Sequence, residues 1–142
     1  MNGPIVVGTD GSETASLAVA RAIELARTFR QPLHVVAAYH PQALTTETVP
    51  SEFVESVGIH QWADVAISES IARARSVGVK ATGHAVIGSA ADAILDVAAS
   101  TRADLVVVGS RGISSKSRFV LGNVPSKVVH HATCSVHVVH TC

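Results

Sequence analysis

"PIVVGTDGSETASLAVARAIELARTF", residues 4–29, decides the fold of this 142-residue chain. "PIVVGTD" is a short apolar, β-branched run closing on Gly8, the pattern of a strand buried on both faces. The period then changes. Ser12 stands where a helix N-cap is wanted, and Ala18, Ala22, Leu25 and Phe29 return at helical spacing.

The same alternation continues along the chain. "QPLHVVAAYH" (31–40) reads as a second strand, and a helix follows from about Ile59 to Ser76, stopped by Gly78. "VKATGHAVIG" (79–88) is a third strand. Ser89, with Asp92 three residues on, resembles a capping box that opens "AADAILDVAAS" (90–100) as a helix. "ADLVVVGS" (103–110) is a fourth strand, "PSKVVHHA" (125–132) a short helix and "SVHVVH" (135–140) a fifth strand. Residues 41–56, with two prolines, are the one long irregular stretch. Uninterrupted Val/Ile strands alternating with helices imply a parallel sheet covered on both faces, and right-handed crossovers favour a doubly wound α/β fold.

Composition agrees with a single domain over residues 1–142. Apolar residues make up 47% and charged residues 15%, the balance of a packed globule rather than a disordered chain. Eleven bases offset eleven acids, so no global field draws the chain to nucleic acid or to an anionic membrane. Two cysteines, Cys134 and Cys142, are too few for a disulfide framework and suit a reducing compartment. "MNGPIVVGTD" has no cationic, apolar leader, and no run approaches the roughly 18 apolar residues of a membrane span. A cytoplasmic location is expected.

In doubly wound sheets ligands sit beyond the carboxyl ends of the strands, where the strand order reverses. Two strands end in glycine-rich turns, "VVGTDGS" (6–12) and "VVVGSRG" (106–112). If the order is 3-2-1-4-5, both turns open at that point. The second leads into "GSRGISSKSRFVLGN" (109–123), which has three glycines, the cations Arg111, Lys116 and Arg118, and no acid. Gly122 and Asn123 precede the short helix, whose first N–H groups favour an anion. Glycines that let the backbone approach, followed by a helix N-terminus, suit phosphate. Neither a P-loop nor a G-x-G-x-x-G turn after the first strand is present.

These residues carry a family resemblance. The spacing G-x2-G-x9-G at Gly109, Gly112 and Gly122, after a Val-rich fourth strand, resembles the nucleotide-binding branch of the universal stress protein family. "IVVGTDGSETASLAVARAIELA" is similar to that family's opening and "VVHHATCSVHVV" to its close. The resemblance covers the whole chain and is weakest over residues 41–80. It implies a five-stranded sheet of order 3-2-1-4-5, a Rossmann-like fold, and an adenine-nucleotide-binding stress-response protein that works through occupancy rather than turnover. By matching position, Gly8, Thr9 and Asp10 would lie by the adenosine, Val36 by the adenine, and Val108 and Gly109 by the ribose. Arg111, Gly112, Gly122, Asn123 and Val124 would line the phosphates. ATP is the ligand implied, with Mg2+ possible and Asp10 touching metal only through the bound nucleotide. The family usually has Ser or Thr where this chain has Asn123, and a small residue where it has Pro125, so AMP or cyclic AMP is the alternative. The resemblance also implies a homodimer through the last strand, centred on Val136, His137, Val138, Val139 and His140.

Other chemistry has less support. His130, His131, Cys134 and His137 have metal-ligand side chains, but neighbouring helical residues diverge by about 100°. His34, His40, His60 and His84 show no pattern. There is no G-x-S-x-G nucleophile turn. Slow ATP hydrolysis is the enzyme-class alternative, with Asp10 the nearby acid.

Overall fold

The computed structural model describes residues 1–40, 61–110 and 121–141. The irregular stretch 41–56, the expected helix start at Ile59, His60, Cys142 and the loop residues Arg111, Gly112, Lys116 and Arg118 lie outside them.

In chain order the elements are β1 (Ile5–Gly8), α1 (Glu13–Phe29), β2 (Leu33–Tyr39), α2 (Gln61–Ser76), β3 (Ala81–Ile87), α3 (Ala90–Thr101), β4 (Leu105–Gly109), α4 (Asn123–His131) and β5 (Ser135–Val139). The five strands form one parallel sheet of order β3-β2-β1-β4-β5. Both the layered α/β reading and the strand order implied by the resemblance hold. The centre of the sheet is β1, where Ile5 faces Leu33 on one side and Leu105 on the other.

Strand residues alternate between two cores. Ile5, Val7, Leu33, Val35, Ala37 and Val107 pack under α1 and α2. Val6, Val36, Val106 and Val108 pack under α3 and α4. Both faces of the central strands are therefore sealed, which is why their runs are continuously apolar. Burying each of the valine, leucine and isoleucine side chains contributes about 1.5–3 kcal/mol.

The helices start where the sequence places them. The Ser12 hydroxyl accepts from the Ala15 N–H at 3.1 Å and the Ser89 hydroxyl from Asp92 N–H at 3.3 Å. Each hydroxyl satisfies one orphan amide. Gly78, with φ +81°, follows α2 as expected of a left-handed stop. One position differs. Phe29 is 44% exposed, because the buried stripe of α1 is Ala18, Val19, Ala22, Ile23 and Ala26, and Phe29 is the last helical residue beyond it. α2 lies directly on β3 at Gly83, where a side chain would run into Ile67 and Ile71.

A second difference concerns His34 and His84, which show no pattern in the sequence. β2 and β3 pair with His34 opposite Thr82 and Val36 opposite His84, so the two histidines are diagonal neighbours on one face. Nδ1 of His34 lies 2.9 Å from Nε2 of His84, and the ring centroids are 5.1 Å apart at a 42° tilt. Partial burial lowers the pKa of both, and the neighbouring ring lowers that of His34 further. Because the folded-state values lie below the unfolded one, the unfolded chain binds more protons as the pH falls below about 6.5. The contribution of the pair is therefore intact above that pH and lost below it. Urea unfolding between pH 7.5 and 5 is expected to show a falling midpoint, with a smaller fall in His84→Gln. An identical pH dependence in the two proteins would rule this contribution out.

Candidate functional site

The first turn is built by its own side chains. The Thr9 N–H continues the ladder beyond β1 by donating to the Val36 carbonyl at 2.9 Å. Gly11, at φ +82°, takes a left-handed conformation that few other residues adopt, and its N–H donates to Thr9 Oγ1 at 3.1 Å. Asp10 Oδ1 accepts from both the backbone N–H and the hydroxyl of Ser12, at 2.9 and 2.5 Å. Ser12 then caps α1. A carboxylate two residues before a serine thus braces the turn and the helix start together.

The second turn leaves β4 beside it. Ser110 N–H donates to the Val139 carbonyl at 2.8 Å, and the Ser110 carbonyl accepts from Gly122 N–H at 2.9 Å. Residues 110 and 122 therefore meet at the base of the glycine loop. The Ser110 hydroxyl lies 3.2 Å from Thr141 Oγ1 and accepts from Thr141 N–H at 3.2 Å. Thr141 is buried. The loop base is tied in this way to the segment that follows β5.

α4 begins directly after Gly122, which has extended geometry and no side-chain cap. The Gly122 N–H is engaged by Ser110, and Ser126 N–H donates back to the Gly122 carbonyl at 3.0 Å. Pro125 has no N–H and sits in the first turn, as expected. That leaves the N–H groups of Asn123 and Val124 as the orphan donors of α4 among the described residues. Lys127, one turn on, reaches Asp92 at 2.8 Å and joins α4 to α3. Hydrogen bonds from Lys127 and Ser89, with the Lys127 charge, hold the Asp92 carboxyl below its ordinary pKa.

Thr9, Asp10 and Gly109 lie together at the carboxyl edge of β1 and β4, and Gly122, Asn123 and Val124 join them through the Ser110–Gly122 bond. Gly8 has a packing reason as well, since a side chain there would meet Ile94 of α3. Val36 and Val108 lie on β2 and β4, and their side chains are buried in the second core, at 1% and 3% exposure. Arg111 and Gly112 lie outside the described residues. On β5, Val136 and Val138 are half-buried against the α4 core while Val139 is buried on the other face. Among the described residues, no three His, Cys, Asp or Glu side chains gather as a metal-binding group. Burial, with Asp104, pushes the Cys134 thiol up. No described helix is long and apolar enough to cross a membrane.

Two residues were not singled out from the sequence. Thr141 has no local signal, because only the sheet brings it to Ser110. Trp62, the single tryptophan, packs beside Gly11, with Cε3 3.5 Å from where a Gly11 Cβ would stand.

Comparison with known proteins now gives this geometry a context. The model of the universal stress protein family matches residues 1–140. A universal stress protein of Mycobacterium tuberculosis is 33% identical over 141 residues, which cover 96% of this chain and 95% of that protein. A universal stress protein solved in complex with cAMP superposes with a TM-score of 0.75 at 30% identity, covering 99% of this chain and 98% of the other. The universal stress protein from Archaeoglobus fulgidus in complex with dAMP gives a TM-score of 0.68 at 25% identity, with 96% of both chains covered.

The double role of Ser12, cap to α1 and partner to Asp10, has a measurable consequence. Ser12→Ala is expected to cost about 1 kcal/mol in urea unfolding, because the N-cap bond and the hydroxyl half of the brace on Asp10 go, while the backbone N–H half remains. An unchanged midpoint would show that the turn holds without it.

Proposed function

The chain belongs to the universal stress protein family, and from that premise we propose that it binds an adenine nucleotide at the carboxyl ends of β1 and β4 and acts as a stress-response regulator through occupancy. The observation behind this reading is the meeting of the braced Thr9–Ser12 turn with the uncapped N-terminus of α4 across two adjacent strands. One side offers hydroxyl and carboxylate oxygens suited to a nucleoside. The other offers amide donors and a helix dipole suited to phosphate.

ATP with Mg2+ is the ligand the family resemblance implies. A specific feature favours a single phosphate instead. Of the amides at the loop base, those of Ser110 and Gly122 are already spent inside the protein, and Pro125 has none. Asn123 and Val124 supply two donors, enough for one phosphate group. Asn123 adds an amide side chain, which can donate to an anion but suits a metal less than a hydroxyl would. The two relatives named with ligands, cAMP and dAMP, each hold a nucleotide with one phosphate. We therefore place cyclic AMP or AMP ahead of ATP, and binding ahead of hydrolysis.

The same reading includes a homodimer. Among the described residues β5 pairs only with β4, on one of its edges, and an open strand edge invites a second copy. Sedimentation equilibrium is expected to give twice the 14.7 kDa of one chain. A 14.7 kDa species at every concentration would count against it.

Isothermal titration with cyclic AMP, AMP and ATP, each with and without Mg2+, tests the ligand. Saturable binding of a monophosphate without Mg2+ is expected, together with a change in Trp62 fluorescence. Asn123→Asp, which puts a negative charge at the amide donors, is expected to weaken binding by at least about tenfold. Preference for Mg2+-ATP would restore the triphosphate reading, and no binding of any nucleotide would overturn the proposal.

A further inference from the structure

The contact between His34 and His84 lies outside the nucleotide reading and does not depend on it. Both residues are on the face of the sheet that carries α3, whose main partners there are β2 and β1. β3 is the edge strand beyond them, so the pair sits at the rim of the covered area, half-buried rather than sealed. A diagonal pair on neighbouring strands is held by two backbones in fixed register. Its spacing belongs to the sheet and not to a flexible loop.

From this spacing we propose that His34 Nδ1 and His84 Nε2 form a bidentate site for a tetragonal divalent cation, Cu2+ foremost. The present 2.9 Å is the length of the hydrogen bond the rings share, and the register of the two strands keeps both imidazoles within reach of one ion at metal–nitrogen bonds of about 2.0–2.1 Å. Among divalent first-row ions Cu2+ binds imidazole most strongly, and a tetragonal ion accepts two imidazoles with water at its other positions. The two rings now share a hydrogen bond, and a turn about χ2, a soft torsion in histidine, redirects both lone pairs to a common point. On ligation the shared proton leaves the coordinating nitrogen and the donor ring takes one up from water at its other nitrogen, so both rings stay neutral and no electron transfer is involved. No described carboxylate or thiol completes a group of three, so the remaining equatorial positions go to water or to a small ligand. The site is therefore an open one, in contrast to a closed structural zinc centre.

Cu2+ titration of the intact protein at pH 7.5, followed by electron paramagnetic resonance and calorimetry, tests the assignment. One equivalent bound through two imidazole nitrogens is expected, with Zn2+ binding more weakly. His34→Gln and His84→Gln are each expected to weaken binding by at least about tenfold, whereas His130→Gln leaves it unchanged. Should either variant fail to fold, substoichiometric Cu2+ added to the unaltered protein is expected to broaden the His34 and His84 ring signals in NMR first. Broadening that begins at other histidines, or copper affinity that survives both substitutions, would overturn the site.

Discussion

The pairing of β1 with β4 is the constraint on which the rest of this molecule depends. Ile5, Val6 and Val7 lie against Leu105, Val106 and Val107, about a hundred residues away in the chain. Closing so long a loop costs entropy that grows only slowly with its length, and the burial of valines on both faces of the sheet offsets it. Once the two strands are neighbours, the winding must reverse between them. β2 goes to one side and β5 to the other, α1 and α4 cover opposite faces, and in such sheets ligands sit at the strand ends where the order reverses.

What stands at that opening is mostly backbone, held in place by side chains that are already occupied. Asp10 is bound to Ser12, Ser110 to Thr141, and Lys127 to Asp92. These contacts fix the shape of the two turns and of the α3–α4 junction among the described residues. The proposed role through occupancy rests on this use of side chains as braces. The link from Ser110 to the segment after β5 further connects the base of the glycine loop with the edge strand.

The legible parts of the fold were those in which local pattern and tertiary environment agree. Val-rich runs marked the strands because both faces are buried, and Ser12 and Ser89 marked helix starts because each caps its own helix. Gly109 and Gly122 drew attention through their spacing and family likeness, and the structure brings Gly122 to Ser110 at the loop base. Val36 and Val108 show the limit of that approach: matching position named them but could not say that their side chains turn into the core. Phe29 shows another limit, since helical spacing continues to the end of a helix whether or not the layer beneath it does.

The order of letters alone determined the alternation of buried strands and capped helices, the two glycine turns and the absence of acid from residues 109–123, because periodicity and capping are properties of short segments. Only the tertiary structure decided that Ser110 meets both Gly122 and Thr141, that Trp62 lies on Gly11, and that His34 touches His84. The physical reason is register. A residue's neighbours along the chain reveal which face it occupies, but its partner across a sheet depends on how two distant strands slide against each other, and that is fixed only when the whole core packs.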